Sequence, residues 1–255
     1  MIDIGLTSVT FRNLNCSDII NYSSKCGLSC IEWGSDVHVP ENNFENAKEV
    51  AQKTTDSELY VSSYGSYYRV GEYENPTQTF TAYLETAKLI EAPIIRLWAG
   101  VKGSNNCDSA YYKKIVDETA LLCDMAKKYD ITLAYEFHKG TLADNADSAC
   151  KIAKDISSSN FGLYFQYSPD FSNEENIKAL KKLLPYLKMI HVFNINEKSE
   201  RLSLDENDGI KLWSDIAAIL KANDISVSLL FEFLKESTFE QLKRETTILR
   251  EILNG

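Results

Sequence analysis

Gly5-Leu6-Thr7-Ser8-Val9-Thr10-Phe11-Arg12 closes the first apolar run of the chain, and what this stretch lacks decides the fold. A large doubly wound α/β sheet usually carries a glycine-rich phosphate-binding turn, G-x-G-x-x-G, directly after its first strand. No such turn is present here. Further along, short apolar, β-branched or aromatic runs recur at 2–9, 29–34, 58–64, 94–99, 131–137, 161–166, 188–194 and 225–233. Eight such runs in 255 residues give about 32 residues per unit, close to the roughly 30 that a strand and its crossover helix occupy. Several runs, notably Ile94-Ile95 and 226–233, are apolar almost throughout, as parallel strands covered on both faces are. Stretches of helical spacing lie between them at 17–26, 44–53, 76–90, 109–129, 144–156, 173–184, 209–222 and 239–253. Asn75-Pro76 offers a capping side chain before a proline at the first helical position, and Gly27 offers a stop after the first helix. Eight strands alternating with eight helices, without the dinucleotide turn, predict a single-domain (β/α)8 barrel spanning 1–255. Residues 157–160 and 194–209 read as surface loops.

Composition narrows the function classes. With 44% hydrophobic residues the chain has the material for a large core. Lys and Arg total 27 against 37 Asp and Glu, and the resulting charge of −10 repels phosphate backbones and anionic lipid, so neither nucleic acid nor membrane is an expected partner. The 6 cysteines form no C-x-x-C pair and read as reduced core residues. The start, Met-Ile-Asp-Ile-Gly-Leu-Thr, lacks the basic and apolar regions of a secretion signal. No apolar run approaches the roughly 18 residues of a membrane span. A cytoplasmic protein is the expectation.

Active sites of such barrels are built at the C-terminal ends of the strands. The polar residues collect there: Glu32, Asp36 and His38 at the second end, then Tyr64, Tyr67, Tyr68 and Arg69 at the third. Arg96 and Trp98 follow at the fourth, Glu136 and His138 at the fifth, Gln166, His191 and Glu232 at the sixth, seventh and eighth. All 3 histidines of the chain are among them. Glu136, His191 and Glu232 each interrupt an apolar run, and a buried carboxylate is costly unless it is paired or bound to a cation. A divalent metal removes that cost. Two carboxylates, one imidazole and the amide oxygen of Gln166 make a mixed O/N set suited to Mn²⁺, Zn²⁺, Mg²⁺ or Co²⁺. His138, two residues after Glu136, shares its side of an extended strand. Arg96 has an alternative role in neutralising a buried carboxylate, and Glu32 one in pairing with a lumen or loop cation. Tyr67 and Tyr68 cannot both point inward in a regular strand.

The ordered set of strand ends resembles the sugar phosphate isomerase/epimerase family of xylose-isomerase-like TIM barrels: Ile31-Glu32-Trp33-Gly34 with Asp36 and His38, Ser63 through Arg69, Ile95 through Gly100, Glu136 through Leu142, His191-Val192-Phe193 and Phe231-Glu232-Phe233. The resemblance runs from Gly5 to Lys235. It implies one divalent metal held by Glu136, Gln166, His191 and Glu232, with Gln166 where many relatives carry Asp. It also implies proton transfer beside a carbonyl, in which Glu136 and Glu232 bind the metal and exchange the proton while an enediolate forms. His38 and His138 would hold sugar hydroxyls, and Tyr64 would line the pocket. Trp33 or Trp98 would face the C–H surface of the sugar, and Arg69 and Arg96, with Arg12, would grip a phosphate or carboxylate terminus. The expected substrate is a sugar, sugar phosphate or polyol-derived ketone, and a homodimer is compatible with the resemblance. Two other readings keep the same residues: an inosose-type dehydratase, and a carbohydrate-binding barrel whose metal site has weakened at Gln166. The multi-zinc DNA-repair branch of the superfamily needs more histidines and less negative charge than this chain has.

Overall fold

The computed structural model describes residues 2–255 and is a closed barrel of eight parallel strands. In chain order the elements are β1 (Ile2–Thr7), α1 (Cys16–Lys25), β2 (Cys30–Gly34), α2 (Phe44–Asp56), β3 (Tyr60–Arg69), α3 (Pro76–Leu89), β4 (Ile94–Trp98) and α4 (Ser109–Lys127). They continue with β5 (Thr132–Glu136), α5 (Ala146–Ile156), β6 (Phe161–Gln166), α6 (Asn173–Leu183) and β7 (Leu187–Val192). A small pair, β8 (Asn194–Ile195) and β9 (Arg201–Leu202), precedes α7 (Gly209–Ala222), β10 (Val227–Phe231) and α8 (Phe239–Asn254). Each barrel strand pairs with its sequence neighbour, and β10 closes on β1 through Ile2↔Val227 to Leu6↔Phe231. All eight expected strands and all eight expected helices are present.

Local chemistry explains the helix starts. Asn15, Asn43, Asp108, Asn145, Ser172 and Thr238 each accept a backbone N–H from the first turn of their helix, and Ser172 with Glu175 forms a reciprocal capping box. Such a cap is worth about 1 kcal/mol. Asn75 was expected to do the same and does not: it makes no side-chain cap bond, and the fixed φ of Pro76 alone starts α3. The returns from helix to strand share one device. Gly27, Glu58, Glu91, Asp130, Ser157 and Asp224 all have φ between 51° and 66°, the left-handed turn that ends a helix and redirects the chain.

The segment 194–209 departs from the expected loop. β8 and β9 pair antiparallel, the Asn194 amide donates to the carbonyls of Ser203 (2.8 Å) and Glu206 (2.9 Å), and buried Glu245 on α8 accepts from Leu204 N (3.0 Å). These polar anchors replace apolar patterning, so strand periodicity could not reveal them.

Two apolar layers follow from strand alternation. Outward-facing side chains pack beneath the helices in one continuous core, whereas Cys30, Ala134, Tyr164, Met189 and Leu230 plug the lumen. Lumen space is tight at Gly5, where a Cβ would strike Cys30 and Leu230. Above the plug the lumen turns polar. All six cysteines are free thiols, and no helix among the described residues is long and apolar enough to cross a membrane.

Candidate active site

Period-two alternation sends Glu32, Ser63, Arg96, Glu136, Tyr164, Gln166, His191 and Glu232 into the upper lumen from seven strand ends. The five acidic or basic side chains among them are almost wholly buried: His191 is 0% exposed, Glu32 and Glu136 2%, Arg96 3% and Glu232 4%. Burial of this depth requires partners. Arg96 supplies the largest share, with Nη1 2.6 Å from Glu136 Oε2 and Nε 3.8 Å from Glu32 Oε1. Trp98 Nε1 donates to the same oxygen of Glu136, and Glu32 Oε2 accepts from Ser63 Oγ (2.7 Å) and Tyr164 OH (3.0 Å). Gly65 makes room for this frame: a Cβ there would lie 2.9 Å from Glu32 Oε1 and 3.3 Å from Arg96 Nη2.

His191 stands at the centre. Its Nδ1 lies 3.3 Å from Gln166 Oε1, 3.4 Å from Glu232 Oε2 and 3.6 Å from Glu136 Oε1. Ligand atoms about 2.1 Å from one metal ion are about 3.0 Å apart at right angles and about 3.4 Å apart at tetrahedral angles. The three oxygens nearest His191 Nδ1, from Gln166, Glu232 and Glu136, thus lie 3.3–3.6 Å from it, close to the spacing of two ligands on one small divalent cation. Glu136, His191 and Glu232 form a buried cluster whose ligand atoms lie within 4.8 Å of one another. Glu232 Oε2 and His191 Nε2 are buried without a hydrogen-bond partner.

Electrostatics point the same way. Burial works against every charge here, yet Arg96 and then His191 hold the Glu32 and Glu136 carboxyls below their usual range. The His191 imidazole is likewise disfavoured as a cation by burial, but Glu232, Glu136 and Glu32 outweigh this and raise it well above an ordinary histidine. Three carboxylates against one guanidinium leave two negative charges uncompensated. An imidazolium cancels one of them; a divalent cation cancels both and leaves His191 neutral.

Four sequence expectations need correction. His38 is buried, with Nδ1 3.0 Å from Ser8 Oγ and Nε2 3.1 Å from the Leu14 carbonyl, so both ring nitrogens fasten the loop after β1 to the loop after β2 instead of facing a ligand. Tyr64 points outward, fully buried, and donates to the Val39 carbonyl at 2.8 Å. Trp33 is equally outward and bonds Thr54 on α2. Arg96 is engaged by Glu32 through Nε and by Glu136 through Nη1, so the structure places it in the neutralising role and not at the mouth. The β-register explains Tyr64 and Trp33: both lie one residue out of phase with the lumen-facing set.

At the mouth, Trp98 and His138 are half-buried, with ring centroids 5.3 Å apart, and His138 Nδ1 is 2.7 Å from the Lys139 carbonyl. The Arg69 guanidinium lies 3.8 Å over the Trp98 ring. Arg12 is anchored to Asp36 (2.9 Å) and Tyr67 OH (2.6 Å). Tyr67 faces the lumen side while Tyr68 is buried against Tyr73, Phe80 and Tyr83. The opposite wall is aromatic: Tyr167, Phe193 and Phe233 stack edge to face, with Arg201 5.0 Å over Phe233. Phe233 has φ 45°, a conformation that costs a bulky residue about 1–3 kcal/mol and that turns the chain out of the barrel immediately after Glu232. Sequence reading missed Tyr164 as a site residue. Its position two residues before Gln166 was the available signal.

A family model described as xylose isomerase-like TIM barrel matches residues 20–252. The chain belongs to that family. A 3-dehydroshikimate dehydratase from Bacillus anthracis is 19% identical over 200 residues, covering 75% of this chain and 71% of its own. Among solved structures, the probable 3-DHS dehydratase of petrobactin synthesis from the same organism matches with TM-score 0.81 at 18% identity, over 98% of this chain and 99% of its own. A D-psicose 3-epimerase crystallised with D-fructose matches with TM-score 0.78 at 15% identity, over 99% and 100%. A xylose isomerase-like barrel protein from Mycobacterium smegmatis in complex with magnesium gives 0.72 at 14% identity, over 99% and 97%. At these identities the structural likeness establishes the fold alone. The similar structures include both epimerases and a dehydratase, so the likeness does not select one reaction.

Proposed function

We propose that this xylose isomerase-like barrel is a divalent-metal-dependent isomerase or epimerase of a ketose, sugar phosphate or related polyol-derived ketone. The observation that carries the reading is the convergence of Glu136, His191 and Glu232, with Gln166 beside them, around a buried and unpartnered Glu232 oxygen. Glu136, Gln166, His191 and Glu232 would hold Mn²⁺, Zn²⁺, Mg²⁺ or Co²⁺. When bound, such a cation polarises a carbonyl and stabilises the negative charge that builds on oxygen as the neighbouring proton leaves.

The residues of the chain divide the remaining work. Glu232 accepts the proton on the carbon beside the carbonyl; the C–H electron pair becomes the carbon–carbon double bond and the carbonyl π pair moves onto oxygen. Glu136 is kept ionised and in place by Arg96 and Trp98 and serves as the second carboxylate that exchanges the proton. Return of the proton to the opposite face inverts the carbon; return to the neighbouring carbon moves the carbonyl. At the mouth, His138 and Trp98 would meet the body of the substrate and Arg69 an anionic terminus.

The dehydratase reading uses the same proton removal and then expels a β-hydroxyl as water. The 3-dehydroshikimate dehydratase relative favours it. One experiment separates the readings. Metal-loaded protein in D₂O is incubated with ketoses, their phosphates, an inosose and 3-dehydroshikimate and followed by proton NMR. Deuterium at the α-carbon with an epimeric or isomeric product supports the first reading; a product that has lost water, a diketone from the inosose or an aromatic ring from 3-dehydroshikimate, supports the second. Glu232→Gln is expected to abolish exchange, and full exchange by that variant defeats both. Protein that takes up no metal and exchanges no substrate is a binding barrel.

A further inference from the structure

Glu32 is a buried carboxylate that the proton transfer does not use. On β2, 2% exposed, it is fixed from three directions: by Ser63 and Tyr164 on Oε2, and by Arg96 near Oε1. Oε1 also lies 3.5 Å from Nε2 of His191, the ring nitrogen that has no hydrogen-bond partner. The other ring nitrogen, Nδ1, is the one facing Gln166, Glu136 and Glu232. His191 thus has one nitrogen toward the ligand cluster and one toward a single carboxylate held from behind.

We propose that Glu32 is a positioning residue that accepts the Nε2–H of His191 and so keeps the Nδ1 lone pair aimed at the cluster. The inference rests on the metal reading of the site. A neutral imidazole carries one N–H and one lone pair, and the partner of one nitrogen decides what the other offers. A carboxylate beside Nε2 attracts the proton there and repels a lone pair. The opposite tautomer would set that lone pair against Glu32 and place an N–H where a cation must bind. Glu32 also shares Arg96 with Glu136, so the three carboxylates and one guanidinium leave two negative charges for the cation. Gly65 belongs to the same device, because any larger residue on β3 would press on Glu32 Oε1.

The test is Glu32→Gln, read by Mn²⁺ titration with electron paramagnetic resonance and by ¹⁵N NMR of the imidazoles in the Zn²⁺-loaded protein, where only 3 histidines contribute. Mn²⁺ affinity is expected to fall about 10–100-fold, the usual loss when a carboxylate behind a ligating histidine is removed. The wild-type spectrum is expected to show one imidazole protonated at Nε2 and metal-bound at Nδ1, with that Nε2 signal shifted in the variant. If Glu32→Gln does not fold, the pair Ser63→Ala and Tyr164→Phe, which release only Oε2 of Glu32, is expected to weaken Mn²⁺ binding several-fold. Wild-type Mn²⁺ affinity and an unchanged imidazole spectrum in a folded variant would mean that Glu32 only balances Arg96, and the proposal would be wrong. Wild-type protein that binds no Mn²⁺ refutes the metal reading and this assignment together, whereas wild-type uptake with unaltered variant affinity refutes this assignment alone.

Discussion

Replacing Arg96 by Met removes the one guanidinium at the lumen floor while nearly conserving volume. Arg96 lies 2.6 Å from Glu136 and 3.8 Å from Glu32. With an effective dielectric constant of about 20, those contacts correspond to about 6 and about 4 kcal/mol of attraction. Relief from burying the guanidinium offsets several kcal/mol, but two carboxylates remain in a site that is almost wholly closed to water. Breaking one side of a buried pair costs about 3–5 kcal/mol net, and that is the expected loss for the metal-free protein. For a chain of this size each kcal/mol lowers the melting temperature by about 2–4 °C, so a fall of roughly 6–20 °C should accompany it. Urea denaturation followed by tryptophan fluorescence measures the free energy, with Trp98 beside the substitution as a local reporter. The pH dependence carries the sharper prediction. Without Arg96, the folded-state pKa values of Glu32 and Glu136 rise from their depressed positions, so protonation relieves the variant and its deficit is smaller at pH 5 than at pH 8. Mn²⁺ should also reduce the deficit by supplying the missing positive charge. A loss below about 1 kcal/mol, or one identical at both pH values and with or without Mn²⁺, would refute the electrostatic account of the lumen.

Three further expectations are independent of that variant. His191 is held protonated by its carboxylates, so its stabilisation is fully present below the ordinary imidazole value of about 6.5 and is lost as pH rises through its elevated folded value. Metal-free protein should therefore lose stability from neutral pH upward while metal-loaded protein does not, and two flat, parallel urea profiles would contradict this. Glu91, Asp130 and Asp224 adopt left-handed turns with φ of 57°, 57° and 52°; glycine at each removes strain of about 1 kcal/mol against a smaller entropic cost, so each substitution should gain about 0.5 kcal/mol in urea denaturation. Arg69→Met should raise KM for substrates with a phosphate or carboxylate terminus about tenfold and leave neutral ketoses unaffected, because one charge-assisted hydrogen bond is worth about 1.5–3 kcal/mol. An equal change for both classes would move Arg69 from recognition to support of Trp98.

Much of the site was legible because period-two alternation and strand ends are sequence properties. Glu136, His191 and Glu232 stand out as polar residues in apolar runs, and Gln166 follows from its place at the end of the sixth strand. The structure brings these four together. His38, Tyr64 and Trp33 show where this logic stops: being near a strand end does not say which face a side chain takes, and a one-residue difference in phase sends Tyr64 to the helix layer while Ser63 and Gly65 line the lumen. The regular reversals from helix to strand were legible only at Gly27. At Glu58, Glu91 and Asp130 tertiary packing imposes a left-handed turn that local propensity disfavours.

The sequence by itself determined the class of architecture, eight strand-helix units, because burial on both strand faces and capping at helix starts leave repeating local patterns. It also determined which residue types would meet at the barrel mouth. Only the tertiary structure decided how those residues pair. Arg96 could have faced a substrate, and Glu32 could have been a remote structural acid. Closing the barrel placed Arg96 against Glu136 and Glu32 against His191, since contacts between strands two, four, five and seven depend on curvature and register that no local pattern encodes.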